Sequence, residues 1–157
     1  MIEIVRATDM EEARALFREY AGSLEFSLEY QHFSAELAGL PGSYAPPGGA
    51  LLIARADGIA VGIVALRRLD PEICEMKRLY VQPAARAFRT SGGISIGRAL
   101  AVALVDEARA RGYRRLRLDT VPTMVAAIAL YRSLGFVEIA PYYGEAVLCT
   151  VFMQLAL

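Results

Sequence analysis

Apolar and polar residues alternate over residues 2–6, Ile-Glu-Ile-Val-Arg, with the period of two that a half-buried strand needs. Thr8 and Glu11 then stand at the spacing of a capping box, ahead of Ala13, Leu16, Phe17 and Tyr20 on one face of a helix. A second, weaker helix is expected over residues 28–40, followed by a loop at Pro41-Gly42 and Pro46-Pro47-Gly48-Gly49. Residues 50–56 and 59–69 are apolar runs joined at Asp57-Gly58, a dipeptide suited to the positive φ angles of a tight hairpin, so they should pair antiparallel. Asp70-Pro71 makes the next turn, and residues 73–82 read as a third strand, which Pro83 ends by withdrawing a backbone donor. Together these three strands form a meander.

Helical spacing returns at Ile96, Leu100, Ala103, Leu104 and Ala108. Arg109 and Arg111 complement the C-terminal dipole of that helix, and Gly112 can end it in a left-handed conformation. Residues 114–120 alternate as a strand, and strand, helix, strand implies a right-handed crossover with the two strands parallel. Thr123 is placed to cap a last helix ending at Gly135, and residues 136–139 and 146–155 close the chain as strands around a Pro-Tyr-Tyr-Gly turn.

Composition narrows the classes. A chain of 157 residues with 55% hydrophobic content can bury one good core, which predicts a single domain over residues 1–157. No apolar stretch approaches the ~20 residues of a membrane span, and no secretory signal is visible, so a soluble, cytoplasmic protein without a membrane partner is expected. Seventeen basic residues, sixteen of them arginine, balance seventeen acidic ones, which gives nucleic acid no global attraction and favours a small-molecule partner. Acids interrupt the cluster Arg109, Arg111, Arg114, Arg115 and Arg117, which reads as a solvated face. Cys74 and Cys149 have neither CxxC nor Cys/His spacing, so they are expected to be reduced, buried thiols, and no metal site is expected.

The chemistry concentrates in a series of linked segments. These are CEMKRLYVQP at residues 74–83, a glycine-containing loop, the helix IGRALAVALVDEARARGY, the strand RLRLDT and the segment AIALYRSLGF. In that order, over roughly residues 50–140, they resemble the core of the GNAT family of acyl-CoA N-acyltransferases, as a small bacterial-type single-domain member. The resemblance implies a mixed α/β (α+β) fold: a twisted, mostly antiparallel sheet flanked by helices and splayed at a parallel pair of strands ending near Gln82 and Thr120. It also implies acetyl-CoA as co-substrate, no metal, and direct acetyl transfer to the amine of a small-molecule or peptide acceptor. A homodimer through the last strands is common in such folds.

The family's pyrophosphate loop reads R-x-x-G-x-G ahead of a helix whose exposed N–H groups bind anions. Here the two anchors, Arg86 after Pro83 and Gly97 within IGRAL, lie six residues too far apart. Looping out residues 87–92 restores the motif as Arg86, Gly93, Ile94, Ser95, Ile96, Gly97, followed by Arg98. Ser95 then stands where the family has glycine, and its hydroxyl can cap the helix in competition with phosphate. The resemblance further assigns the main chain of Leu79 and Val81 to the pantetheine arm and acetyl carbonyl. Met124 stands where the family often has Asn.

Two residues carry proposed proton transfers. Glu75 on the third strand is the expected general base for the acceptor amine, and its structural alternative is an ion pair with Lys77 on the same strand face. Tyr131 matches the family's tyrosine, whose hydroxyl protonates the departing thiolate, and its alternative is a core tyrosine in the stripe Met124, Ala127, Ile128, Tyr131, Leu134. His32, Tyr44, Tyr142 and Tyr143 would border an acceptor channel or simply pack. Two rival functions follow: a non-catalytic acyl-CoA sensor or interaction module, motivated by the insertion, Ser95 and Met124, and a cysteine hydrolase using Cys74 and His32.

Overall fold

Asp57 and Gly58 adopt φ angles of 48° and 84°, the left-handed pair that a two-residue hairpin needs. They join β2 (Ala50–Ala56) to β3 (Ile59–Arg68), which pair antiparallel, and β3 pairs in turn with β4 (Ile73–Val81). This is the expected meander. The computed structural model describes residues 1–144 and 150–157. In it β1 (Ile2–Arg6), β5 (Arg115–Thr120), β6 (Val137–Ile139) and β7 (Val151–Ala156) complete a seven-stranded sheet in the order β1-β2-β3-β4-β5-β7-β6. Residues 145–149, including Cys149 and most of the first half of the expected last strand, lie outside the described residues.

All neighbouring strands run antiparallel except β4 and β5, linked through α3 (Ile96–Ala110), which pair parallel. Their pairing covers only Ile73↔Arg115, Cys74↔Leu116 and Glu75↔Arg117. Beyond Glu75 the two strands part.

The sheet separates two cores. On one face Leu100, Leu104 and Ala108 of α3 pack on Leu52, Val64, Met76 and Leu116, all nearly or fully buried. On the other, Phe17 of α1 (Met10–Ser23) meets Phe33 of α2 (Phe33–Ala38) and Tyr44, with ring centroids 6.5 and 6.0 Å apart. No helix among the described residues is long and apolar enough to cross a membrane.

Several local expectations are corrected. Asp9, not Thr8, caps α1, because the Asp9 carboxylate accepts the Glu11 N–H at 2.9 Å. The single helix expected over residues 28–40 is broken: a 3-10 turn at Glu29–Gln31 ends at His32, whose φ of 58° cannot continue a right-handed helix, and α2 starts afresh at Phe33. The last helix, α4 (Val125–Ser133), starts after Met124 with no side-chain cap, so Thr123 does not serve there.

Candidate active site

Arg78 has a φ of 61°, and at that point the β3–β4 register slips so that Arg78 and Leu79 have no partner of their own between Lys77↔Ala65 and Tyr80↔Ile63. Such a bulge interrupts strict alternation. Glu75 and Lys77 occupy the α1 and α2 face by ordinary alternation, and the bulge adds Arg78 to that face next to Lys77, where its guanidinium lies 5.2 Å from the Phe33 ring. Leu79 and Val81 return to the α3 face.

Burying three charged residues in mid-strand demands partners. Glu75 is 1% exposed, and both carboxylate oxygens are engaged: Oε1 accepts from Arg67 Nε at 2.7 Å and Oε2 from the Tyr142 hydroxyl at 2.5 Å. Lys77 donates to Asp119 at 3.1 Å and to the Gln31 carbonyl at 2.9 Å. Arg78 grips Glu36 with two nitrogens, at 3.0 and 2.9 Å, and donates to Gln31 at 2.8 Å. Gln31 Nε2 donates to Asp119 at 2.8 Å, and the Tyr143 hydroxyl closes the network on the same carboxylate. The alternative of a Glu75–Lys77 ion pair gives way to two separate pairs, because Glu75 finds its counter-charge in Arg67 and Lys77 in Asp119. Burial pushes Asp119 upward, but Lys77 and the hydrogen bonds from Tyr143 and Lys77 outweigh it and hold the carboxyl below its usual range.

Above this network lies a cleft of about 540 Å³, lined by Gln31, His32, Arg67, Lys77, Arg78 and Tyr143 among others. On the far side of the splay a second cavity of about 550 Å³ runs from Leu79 and Val81 past Arg86 to Ser95, Gly97 and Arg98 at the start of α3. A small cavity of about 50 Å³, bordered by Lys77, Leu79, Asp119 and Tyr131, sits where β4 and β5 have parted. Tyr20 and Met124 border both the small cavity and the 550 Å³ one. Burial raises the Tyr20 hydroxyl to about 12.

The loop before α3 is a small hairpin in which Arg89 pairs with Ser95 and Thr90 N–H donates to the Ile94 carbonyl. Gly93 (φ 78°) lies in its turn and the exposed Ile94 follows, paired with Thr90; neither is among the residues lining the cavity. Ser95 caps α3: its hydroxyl accepts the Arg98 N–H at 3.3 Å, which leaves the N–H groups of Ile96 and Gly97 without an intrahelical acceptor. A Cβ on Gly97 would touch only Val81, at 3.9 Å, so the missing side chain leaves the cavity floor open. Arg86 folds back to donate to the Val81 carbonyl at 3.0 Å, and Arg98 reaches Ser133 at 2.8 Å. Ile96 itself is 1% exposed and packs in the core.

Tyr131 is buried against Phe136, with ring centroids 5.7 Å apart, and also borders the small cavity. Its hydroxyl is raised by desolvation. Tyr44 is a core residue, 2% exposed, while Tyr142 and Tyr143 join the polar network. The hydrolase reading fails on geometry: Cys74 faces the α3 core, its thiol pushed up to about 12 by burial, whereas His32 lines the cleft on the opposite face. Among the described residues no cluster of His, Cys, Asp or Glu could hold a metal ion. Arg117 does not belong to a purely solvated face; it donates to Gln154 and lies 5.1 Å from the Tyr142 ring.

Residues 10–136 match the acetyltransferase (GNAT) family. An uncharacterized N-acetyltransferase of Schizosaccharomyces pombe is 36% identical over 149 residues, spanning 94% of this chain and 88% of its own. The solved structure of the yncA protein of Salmonella typhimurium with its cofactor acetyl-CoA superposes with a TM-score of 0.70 at 22% identity, covering 99% of this chain and 94% of that one. The PaiA N-acetyltransferase of Thermoplasma acidophilum, in complex with coenzyme A, superposes with a TM-score of 0.73 at 22% identity, covering 100% and 99%.

Proposed function

Because this chain belongs to the GNAT acetyltransferase family, we propose that it moves the acetyl group of acetyl-CoA directly onto the amine of an acceptor held in the cleft above Lys77 and Arg78. The observation that carries this reading is the parting of β4 from β5 after Glu75, which leaves a 550 Å³ cavity running to the start of α3. The acetyl-CoA and coenzyme A complexes of the Salmonella and Thermoplasma proteins support it. When bound, acetyl-CoA supplies an activated thioester.

The chain supplies the rest. The N–H groups of Ile96 and Gly97, with Arg86 and Arg98 at the rim, receive the pyrophosphate, and the unpaired edge of β4 at Leu79 and Val81 receives the pantetheine arm. Tyr131, beside the small cavity, donates a proton to the leaving sulfur. Glu75 is hydrogen-bonded to Tyr142, which packs on the cleft residue Tyr143 with ring centroids 5.5 Å apart, and in this reading it accepts the amine's proton through the Tyr142 hydroxyl and acts as a positioning residue. Replacing Glu75 with Gln should lower kcat by ~100-fold or more while the acetyl-CoA Kd moves little. Tyr142→Phe should reproduce that loss, and the double variant should be no worse than the poorer single one, since both cut one path. Additive losses in steady-state kinetics would refute the relay.

Titration calorimetry with acetyl-CoA tests the reading directly. Binding in the micromolar range is expected, and no heat up to millimolar cofactor would overturn it. The same titration checks the loop. Ser95→Gly returns the Arg98 N–H to the anion, so acetyl-CoA should bind about threefold to tenfold more tightly, the worth of one hydrogen bond, at a cost of a few tenths of a kcal/mol in helix capping. Weaker binding would show that the cap supports the cradle.

A further inference from the structure

The three cations lining the cleft are held differently. Lys77 is directed inward, with its ammonium on Asp119 and Gln31. Arg78 is 5% exposed and spends its fork on Glu36 and its remaining nitrogen on Gln31. Arg67 is bound only through Nε, to a carboxylate behind it, and its side chain is 40% exposed. Among the described residues its two terminal nitrogens have no hydrogen-bond or ion-pair partner, and Arg67 lines the cleft. Glu75, buried at 1% exposure, fixes the inner edge of the guanidinium and leaves the outer edge toward the acceptor.

A planar guanidinium anchored on one side and open on the other is suited to a carboxylate, which it can hold with two parallel N–H···O bonds. Its anchor also limits the entropy lost on binding. Arg67 pairs across the strands with Glu75, two residues before Lys77, so the open edge lies roughly 7 Å along β4 from the point where the strands have parted. We infer that the acceptor is an amine that also carries a carboxylate, as a free amino acid does, and that Arg67 is its specificity-determining contact. This rests on the acetyl-transfer reading above.

The test compares amino acids with their own α-amides and with uncharged or polycationic amines, by the rate of CoA thiol release from acetyl-CoA. At least one free acid should exceed its amide by tenfold or more in kcat/KM. Arg67→Gln should lower the acid-to-amide ratio of kcat/KM by about ten- to hundredfold with acetyl-CoA affinity kept, while the loss of the Glu75 counter-charge lowers kcat for acid and amide alike. Arg67→Lys, which keeps the charge over Glu75 but loses the fork, should fall between and guards against a folding defect. The inference is overturned if amides or polyamines are preferred, or if Arg67→Gln leaves the acid-to-amide ratio unchanged. It is equally overturned if acetyl-CoA binds yet no free acid releases thiol above the rate in water. Failure of acetyl-CoA to bind at all would instead remove the acetyl-transfer reading.

Discussion

Replacing Lys77 with methionine is expected to cost about 3–5 kcal/mol of folding stability, among the largest losses any single change in this chain should produce. Lys77 and Asp119 have side-chain exposures of only 6% and 8% and meet at 3.1 Å, between strands whose backbones have already separated. Methionine fills the space of the lysine stem but leaves the Asp119 carboxylate in a desolvated site with only the neutral donors Gln31 and Tyr143. Removing both charges, as Lys77→Met with Asp119→Leu, should recover much of that loss, since no buried charge is then left without its partner. Urea denaturation of the singles and the double decides the matter; a double variant as unstable as the sum of the singles would contradict the account.

The sign of the pH dependence follows from the same pair. The folded Asp119 carboxyl lies below its unfolded value, so its contribution is complete above the unfolded pKa, near ~3.9, and is lost as pH falls through the folded one. Without Lys77 the largest cause of the depression is gone, and although the Tyr143 hydrogen bond and the charge of Arg78 still act against burial, Asp119 takes up its proton at higher pH. The deficit of Lys77→Met should therefore shrink as pH is lowered from 7 toward 4. A constant deficit would mean that packing, not charge, sets the loss.

Gly49→Ala should be nearly as damaging. A Cβ there would lie 2.6 Å from the Tyr44 carbonyl carbon and 2.7 Å from the Leu66 and Ser43 carbonyl oxygens. All three are backbone atoms, and Gly49 itself is tied down because its carbonyl accepts two bonds from Arg111, at 3.2 and 2.8 Å. Relief requires moving the 3-10 turn at Gly42–Tyr44 away from the sheet, at a cost of about 3 kcal/mol, or a fall of roughly 6–12 °C in Tm. Gly48→Ala is the control: its Cβ would come no nearer than 3.5 Å, to Arg68 Cβ, so thermal melting should separate the two variants widely. Equal melting temperatures would refute the steric argument.

What the sequence made legible was periodic or local. The β2–β3 hairpin follows from Asp57-Gly58, and α3 follows from an apolar stripe ended by Gly112, which takes a φ of 83°. The cavity-lining residues Leu79, Val81, Arg86, Ser95, Gly97 and Arg98 follow from the order of motifs along the chain, once residues 87–92 are looped out between Arg86 and the helix start. The polar network was not legible. Glu75 meets Arg67 through cross-strand register, and Lys77 meets Asp119 across a crossover of some forty residues, neither of which leaves a local spacing to read. The bulge at Arg78 moves one more charge onto the cleft face than simple alternation provides. The usable signal was the company Lys77 keeps: it interrupts the apolar strand β4, and a charge in such a place calls for a partner, whereas Asp119 merely continues the polar positions of β5.

Lys77 is the only lysine in the chain, 7% exposed and followed directly by the bulge residue Arg78 in a central strand. A lysine-specific protease consequently has one target bond in the whole molecule, and it can reach that bond only after β4 has been drawn out of the sheet. Cleavage kinetics with such an enzyme thus report the opening of the strand that borders both large cavities, with no label and no substitution. A ligand that bridges the splay will lengthen the life of that single bond.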